Sequence, residues 1–265
     1  MNSASKKAIL VVSFGTSYEN TRKLTIEAIE HDIADAFPAC PTYRAWTSKM
    51  IIAKLKKRDG LTIHTVKEAL EQMLLDGITD VTVQPTHVIN GIENDQMKAD
   101  ALSFRDRFSS IVFGNPLLTT EEDNQAIVRV VADEFRDMDP DTALVLMGHG
   151  TEHYANTVYA ALDYRFKDTG HKNIFLGTVE AYPALDSLLR AADSFHPKKI
   201  VLAPFMIVAG DHAQNDLAGA DPDSWMNRLS SEGYEVTPVL KGLGEYPQVR
   251  QILVEHVQQA MNASI

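Results

Sequence analysis

Two apolar segments decide the fold of this 265-residue chain: Ala8-Ile-Leu-Val-Val-Ser-Phe-Gly-Thr16 and Ala143-Leu-Val-Leu-Met-Gly-His-Gly-Thr151, which align without a gap. Each is apolar on both faces, as expected of a central strand in a parallel sheet whose two faces are covered by helices. Each ends on a Gly-Thr pair, which predicts a tight turn into the next element. The second copy presents an imidazole, His149, where the first has Phe14.

Strand-like segments alternate with helical periodicity along the whole chain, which indicates parallel βα units. The same order runs twice, and the segment Met138-Asp-Pro-Asp141 separates the two runs. We therefore predict an α/β fold with two similar domains, residues 1–120 and 121–245, each a parallel four-stranded sheet flanked by helices. The strand-like segments are residues 8–13, 43–47, 80–84, 110–114, 143–148, 173–179, 199–204 and 235–240.

Three local patterns predict where helices begin. Thr65-Val-Lys-Glu68 has the form of a capping box. Thr16 or Ser17 is a candidate cap after the first strand, which would leave backbone N–H groups free to hold a carboxylate or a phosphate. Asp221-Pro222 is a candidate N-cap and first helical residue for a later helix.

Charge and composition exclude several classes of protein. The formal net charge of −11 argues against a nucleic-acid partner. No apolar run reaches the length of a membrane span, and the single cysteine, Cys40, excludes an internal disulfide and fits a reducing compartment. We predict a cytoplasmic protein without a membrane partner. Residues 43–58 hold six basic residues and no acid, either as a solvated helix face or as a patch for an anionic ligand.

The internal duplication identifies a candidate site. Pro85–Glu93 aligns on Pro204–His212, and more loosely Arg44–Ser48 aligns on Leu176–Glu180. His149, Glu180 and His212 therefore follow three successive strands of the second half. Because the carboxyl ends of parallel strands meet at one edge of a sheet, we expect these three side chains to lie together.

Two imidazoles and a carboxylate suit a borderline divalent ion such as Co²⁺, Ni²⁺, Fe²⁺ or Zn²⁺. The separations of 31 and 32 residues form no local metal motif, so the spacing alone leaves other roles open. His149 could be a hydrogen-bonded turn residue, His212 a helix cap and Glu180 the partner of a lysine. The glycines on either side of His149 favour a ligand, because they allow close approach of backbone or substrate.

Five segments resemble one known family, the anaerobic sirohydrochlorin cobaltochelatases, and they occur in order along nearly the whole chain. These segments are Ile9-Leu-Val-Val-Ser-Phe-Gly-Thr-Ser17, His87-Val-Ile-Asn-Gly91 with Glu93, Met147-Gly-His-Gly150, Val179-Glu-Ala-Tyr-Pro183 and Val208-Ala-Gly-Asp-His212.

The resemblance implies a class II tetrapyrrole chelatase, related to ferrochelatase, with a cleft between its two halves and a C-terminal helix, residues 246–263, packed back on the first domain. It implies that His149, Glu180 and His212 are the metal ligands. It further implies that His149 accepts pyrrole protons and that Glu93 assists from the opposite side. The implied reaction is ATP-independent insertion of Co²⁺ into sirohydrochlorin, for cobalamin biosynthesis.

The expected substrates are sirohydrochlorin and a divalent metal, Co²⁺, with Fe²⁺ (for sirohaem) or Ni²⁺ as alternatives, and no further cofactor is expected. For the carboxylates of the tetrapyrrole, the candidate binding residues are Phe14, Gly15, Thr16, Ser17, Arg44 and Ser48. The sequence leaves a homo-oligomer open. A two-lobed protein that carries a tetrapyrrole or a metal without catalysis is the alternative function.

Overall fold

The computed structural model describes residues 5–263. The chain divides into two compact units. The first unit holds the described residues up to Thr119 together with those from Tyr246 onward, and the second holds Thr120–Glu245. The polypeptide thus leaves the first unit at Thr119 and returns to it for its last helix.

The first unit contains a four-stranded parallel sheet in the order β2-β1-β3-β4. The central strand β1 is buried from Ala8 onward, because it pairs on both sides and carries apolar residues on both faces. The four strands are β1 (Lys7–Ser13), β2 (Thr42–Trp46), β3 (Asp80–Pro85) and β4 (Ser110–Phe113).

The second unit repeats this topology, with a parallel sheet in the order β6-β5-β7-β8. Its central strand β5 is buried along its whole length. The two predicted four-stranded parallel sheets are therefore confirmed. Its strands are β5 (Thr142–Gly148), β6 (Ile174–Thr178), β7 (Lys199–Pro204) and β8 (Glu235–Pro238).

Helices cover the faces of both sheets. The α-helices are α1 (Glu19–Arg22), α2 (Ala28–Ala36), α3 (Lys49–Asp59), α4 (Val66–Leu75), α5 (Ile92–Leu102), α6 (Glu121–Glu134), α7 (Thr157–Asp168), α8 (Leu185–Ala192), α9 (Trp225–Ser231) and α10 (Pro247–Asn262). Two π-helical turns, Lys23–Glu27 and Ala213–Leu217, follow β1 and β7. Short 3₁₀ turns occur at Arg105–Arg107, Tyr154–Asn156 and Leu243–Glu245.

Each sheet has its own apolar core. In the first unit, Leu10 and Val83 of the sheet pack with Leu70 of α4 and Met97 of α5, while α10 packs against α2, β3 and β4. In the second unit the core joins the sheet to α8 and α9, and α7 packs against β6 and α6. The loops at the carboxyl edges of both sheets therefore start from strands that are packed on both faces.

Two predicted helix starts are wrong and one is confirmed. The helix after β1 begins at Glu19 with Tyr18 as N-cap and no side-chain cap, because the Thr16 hydroxyl accepts instead from the Tyr18 N–H at 3.3 Å. The Thr65–Glu68 capping box is present in full.

The second wrong start is Asp221-Pro222. The carboxylate of Asp221 accepts from the Asp223 N–H at 2.8 Å, a local Asx turn that competes with helix capping. The following helix, α9, is capped three residues later by Ser224. Among residues 5–263, no helix is long and apolar enough to cross a membrane.

Candidate metal and substrate site

His149 stands between two glycines that the fold requires. A Cβ on Gly148 would come within 2.5 Å of the Tyr159 ring. Gly150 has φ +86°, and a Cβ there would lie 2.8 Å from Thr178 Cβ and 2.9 Å from Ala181 N. The loop after β5 is therefore pressed against the loop after β6, and His149 projects from a tightly fixed turn.

Glu180 is held beside this turn by backbone hydrogen bonds that extend the β5–β6 ladder. The Val179 N–H donates to the Gly148 carbonyl at 3.0 Å, and the Glu180 N–H donates to the His149 carbonyl at 2.9 Å. His212 arrives from the loop after β7, immediately before the π-helical turn Ala213–Leu217. The three residues thus come from three adjacent strands, as predicted.

Their side chains converge. Each residue offers one ligand atom, and the three atoms lie within 4.8 Å of one another. His149 Nδ1 is 3.6 Å from Glu180 Oε2, His212 Nε2 is 3.8 Å from Glu180 Oε1, and the two imidazole centroids are 4.6 Å apart at right angles. Two ligands at about 2.1 Å from one ion lie at most about 4.2 Å apart, so the three side chains are close enough to reach a single cation once the rings and the carboxylate reorient.

Hydrogen bonds orient both imidazoles. His212 Nδ1 lies 2.6 Å from Asp216 Oδ2, so Nδ1 carries the proton and Nε2, on the side of Glu180, keeps its lone pair. His149 Nδ1 lies 2.8 Å from the Gly150 carbonyl oxygen, which leaves its Nε2 unprotonated in the neutral ring. Partners of this kind fix the tautomer of a metal-binding histidine and make it a better ligand.

Two further residues, Asp216 and Asn156, belong to this site although no motif in the sequence pointed to them. Asp216 reaches His212 because both lie one helical turn apart at the π-helical segment. The Asn156 side chain accepts from the Thr151 N–H at 3.0 Å and donates to the Tyr182 carbonyl at 2.6 Å. The Asn156 side chain therefore links the loop that carries His149 to the loop that carries Glu180 by hydrogen bonds. For Asp216, the only sequence signal was its spacing of four residues from His212, which would place the two side chains one helical turn apart.

In the first unit, the loop Phe14–Ser17 and Ser48 lie together at the carboxyl edge of the sheet. The Ser48 N–H donates to the Phe14 carbonyl at 3.2 Å, and the Ser48 hydroxyl caps α3 by accepting from the Ile51 N–H. Gly15 has φ +104° and a Cβ there would lie 2.4 Å from the Trp46 ring. Phe14 is 43% exposed while Thr16 and Ser17 are buried, so Phe14 offers the accessible side chain of this loop.

Glu93 lies half-buried in the first turn of α5. Arg44, in contrast, is occupied. Its Nε donates to both carboxylate oxygens of Glu30, at 2.7 and 2.9 Å, and its Nη2 also bonds Glu30. Burial raises the pKa of Glu30. Because this pair neutralises Arg44, the substrate role predicted for it has a competing partner within the protein.

Comparisons with known proteins give a consistent result. A family model described as cobalt chelatase (CbiK) matches residues 7–262. The sirohydrochlorin cobaltochelatase of Salmonella typhimurium is 39% identical over 260 residues, covering 98% of each chain. The sirohydrochlorin cobaltochelatase CbiKC of Nitratidesulfovibrio vulgaris is 32% identical, covering 97% of this chain and 92% of that protein.

The fold is also that of a solved chelatase. The structure of the sirohydrochlorin chelatase SirB from Bacillus subtilis subspecies spizizenii in complex with cobalt superposes with a TM-score of 0.65. It covers 98% of this chain and 97% of SirB at 14% identity. At that identity the likeness concerns the fold alone.

Proposed function

This chain belongs to the CbiK family of cobalt chelatases, and we propose on that basis that it inserts Co²⁺ into sirohydrochlorin without ATP. The observation that carries the proposal is the convergence of His149, Glu180 and His212 within 4.8 Å. The metal ion is a substrate of this reaction. Fe²⁺ and Ni²⁺ are the alternative metals to be tested, since ligand chemistry alone does not select cobalt.

The ligand set suits a metal that must be released. Two neutral imidazoles and one carboxylate bind a divalent ion without the closed thiolate cage that is typical of structural sites. All three side chains are partly exposed, at 41%, 52% and 31% for His149, Glu180 and His212. The ion would therefore exchange part of its water for protein ligands while its remaining positions stay open to the macrocycle nitrogens.

Insertion also requires removal of two pyrrole N–H protons. An imidazole can accept a proton near neutral pH as well as bind a divalent metal, and we assign His149 this role. The Gly150 carbonyl fixes its Nδ1–H, so Nε2 is the atom that would receive a proton or the metal. Glu93 keeps its predicted role as an assisting group, and Phe14 is the proposed apolar contact for the macrocycle.

Carboxylate contacts are proposed for the loop Gly15–Ser17 and for Ser48. Their backbone and hydroxyl groups lie at the carboxyl edge of the first sheet, where ligands of open parallel sheets collect. The acidic net charge and the single cysteine also support the inference of a cytoplasmic enzyme that has no nucleic-acid partner.

The test is the absorbance change of sirohydrochlorin mixed with Co²⁺ and protein, compared with the rate without protein. We expect a protein-dependent acceleration that His149→Ala abolishes while circular dichroism stays native. Glu93→Gln is expected to lower kcat more than it changes either KM. A protein that binds sirohydrochlorin tightly with no acceleration would be the carrier, and the proposal of catalysis would be wrong.

A further inference from the structure

Helix α3 lies across the carboxyl edge of the first sheet. It begins at Ser48, whose N–H donates to the Phe14 carbonyl at 3.2 Å. At its other end, Arg58 Nη2 donates to the Ser17 carbonyl at 2.8 Å. Both ends of the helix therefore contact the turn that follows β1. This is the edge of a parallel sheet where ligands bind.

The helix carries positive charge that the protein does not neutralise. Arg58 is paired with Asp59, but Lys49, Lys54, Lys56 and Lys57 have no ion-pair partner in the part of the chain that the structure describes. The whole chain has a formal net charge of −11. Four unpaired lysines on one short helix of an acidic protein make a local positive field that attracts anions.

Two of these lysines line a cavity of about 230 Å³. Lys49 and Lys56 are seven residues apart, so they lie on the same face of the helix. Ile52 and Ala53 line the cavity between them, and the segment 62–65 forms the other wall. Lys54 and Lys57 do not border it. The cavity therefore separates the four lysines into a pocket pair and an outer pair.

One acid also borders the cavity, and it is already engaged. Glu68 Oε2 accepts from the Thr65 N–H and from the Thr65 hydroxyl, both at 2.8 Å. The backbone hydrogen bond from Thr65 lowers the pKa of Glu68. The charge of Lys56 contributes to the same shift. The Glu68 carboxylate thus serves mainly the capping box of α4 and, among residues 5–263, forms no ion-pair contact with either lysine, so both ammonium groups can contact a second anion.

We propose that Lys49 and Lys56 bind a carboxylate of the tetrapyrrole substrate in this pocket. The inference deepens the proposed function and rests on it. Sirohydrochlorin carries acetate and propionate side chains around its rim, and an ammonium–carboxylate contact is a strong, charge-assisted hydrogen bond. The pocket lies on a helix that contacts the Phe14–Ser17 loop at both ends, so it extends the substrate-binding edge of the first sheet and supplies the free cations that Arg44 does not.

The test compares two double variants of α3 with the same change in charge. K49Q/K56Q removes the pocket pair, and K54Q/K57Q removes the outer pair. All four lysines are exposed, so both variants should fold, which thermal unfolding checks. The measurements are the Kd of metal-free sirohydrochlorin by absorbance titration and the KM values for sirohydrochlorin and Co²⁺.

We expect K49Q/K56Q to raise the Kd and the KM for sirohydrochlorin about fivefold or more, with an unchanged KM for Co²⁺, because ion pairs in partly exposed sites are modest. K54Q/K57Q should stay within twofold of the wild type. The difference between the two variants should shrink in high salt, which screens such contacts. Equal effects of both variants, or no effect of either, would overturn the proposal that Lys49 and Lys56 bind a carboxylate of the substrate.

A free phosphate ion is the other anion that such a pocket could hold. Calorimetric titration with inorganic phosphate distinguishes a site for free phosphate from a site for a carboxylate of the tetrapyrrole. Phosphate binding that K49Q/K56Q abolishes, together with an unchanged affinity for sirohydrochlorin, would also overturn the proposal. A wild-type protein that binds sirohydrochlorin but does not accelerate insertion would refute the catalytic function and leave the pocket testable through the Kd.

Discussion

Removal of the Asp216 carboxylate is the sharpest test of how the metal site is held. The 2.6 Å contact between His212 Nδ1 and Asp216 Oδ2 fixes the ring so that Nε2 lies 3.8 Å from Glu180 Oε1. In Asp216→Ala the ring can rotate and exchange its tautomer, and the imidazole loses a charged acceptor. Hydrogen bonds to charged groups contribute about 1.5–3 kcal/mol, which corresponds to roughly 10- to 100-fold in metal affinity.

The assay is a titration with Co²⁺ followed by its ligand-field absorption, together with kcat and the KM for Co²⁺ in the chelatase reaction. We expect Asp216→Ala to weaken Co²⁺ binding about 10- to 100-fold and to leave the KM for sirohydrochlorin nearly unchanged. Asp216→Asn should lose less, because the amide oxygen can still accept the Nδ1–H while the negative charge is gone.

The matched control is Asp223→Ala, which removes the same charge from an exposed position of the same unit. Its Co²⁺ affinity should equal that of the wild type. If Asp216→Ala also binds Co²⁺ with wild-type affinity, His212 is either held by other contacts or is not a ligand, and the reasoning from the hydrogen bond is refuted.

Two further predictions concern stability. Gly150→Ala should lower the free energy of unfolding by about 1–3 kcal/mol and abolish activity, because it combines a positive φ with a backbone contact at 2.9 Å. Gly170→Ala is the control, with φ +98° and open space around its Cβ. In a urea titration it should lower the free energy of unfolding by less. His87 has both ring nitrogens buried without a partner, and burial lowers its pKa to about 4. Since the unfolded chain takes up this proton near pH 6.5, stability falls as the pH drops from 6.5 towards 4, by about 2 kcal/mol at pH 5. Between pH 7.5 and pH 5, the free energy of unfolding of His87→Leu should fall less than that of the wild type. Equal decreases would contradict the lowered pKa of His87.

Much of the fold follows from local patterns in the sequence. The segments around Ala8 and Ala143 are apolar on both faces, and that pattern alone specifies a buried parallel strand. The repeated order of strands predicted two sheets of the same topology, since each half must bury its own apolar faces. The convergence of His149, Glu180 and His212 was also predictable, because adjacent parallel strands end at one edge.

The helix starts show where local patterns are insufficient. Thr16 and Asp221 are good capping residues by type, yet each accepts a hydrogen bond from an N–H two residues later in a tight turn. The same side chains can satisfy either arrangement. Which one forms depends on the path of the chain between packed elements, and a short sequence motif does not contain that path.

The sequence by itself therefore determined the two four-stranded parallel sheets and the three candidate ligands, whereas the order of the strands within each sheet came from the structure. Only the tertiary structure decided that Asp216 orients His212, that Asn156 joins the two ligand loops, and that Glu30 neutralises Arg44 while Lys49 and Lys56 stay unpaired. The physical reason is the range of the interactions. Burial patterns repeat within a few residues, whereas hydrogen bonds and ion pairs depend on atoms that the completed fold brings within about 3 Å of one another.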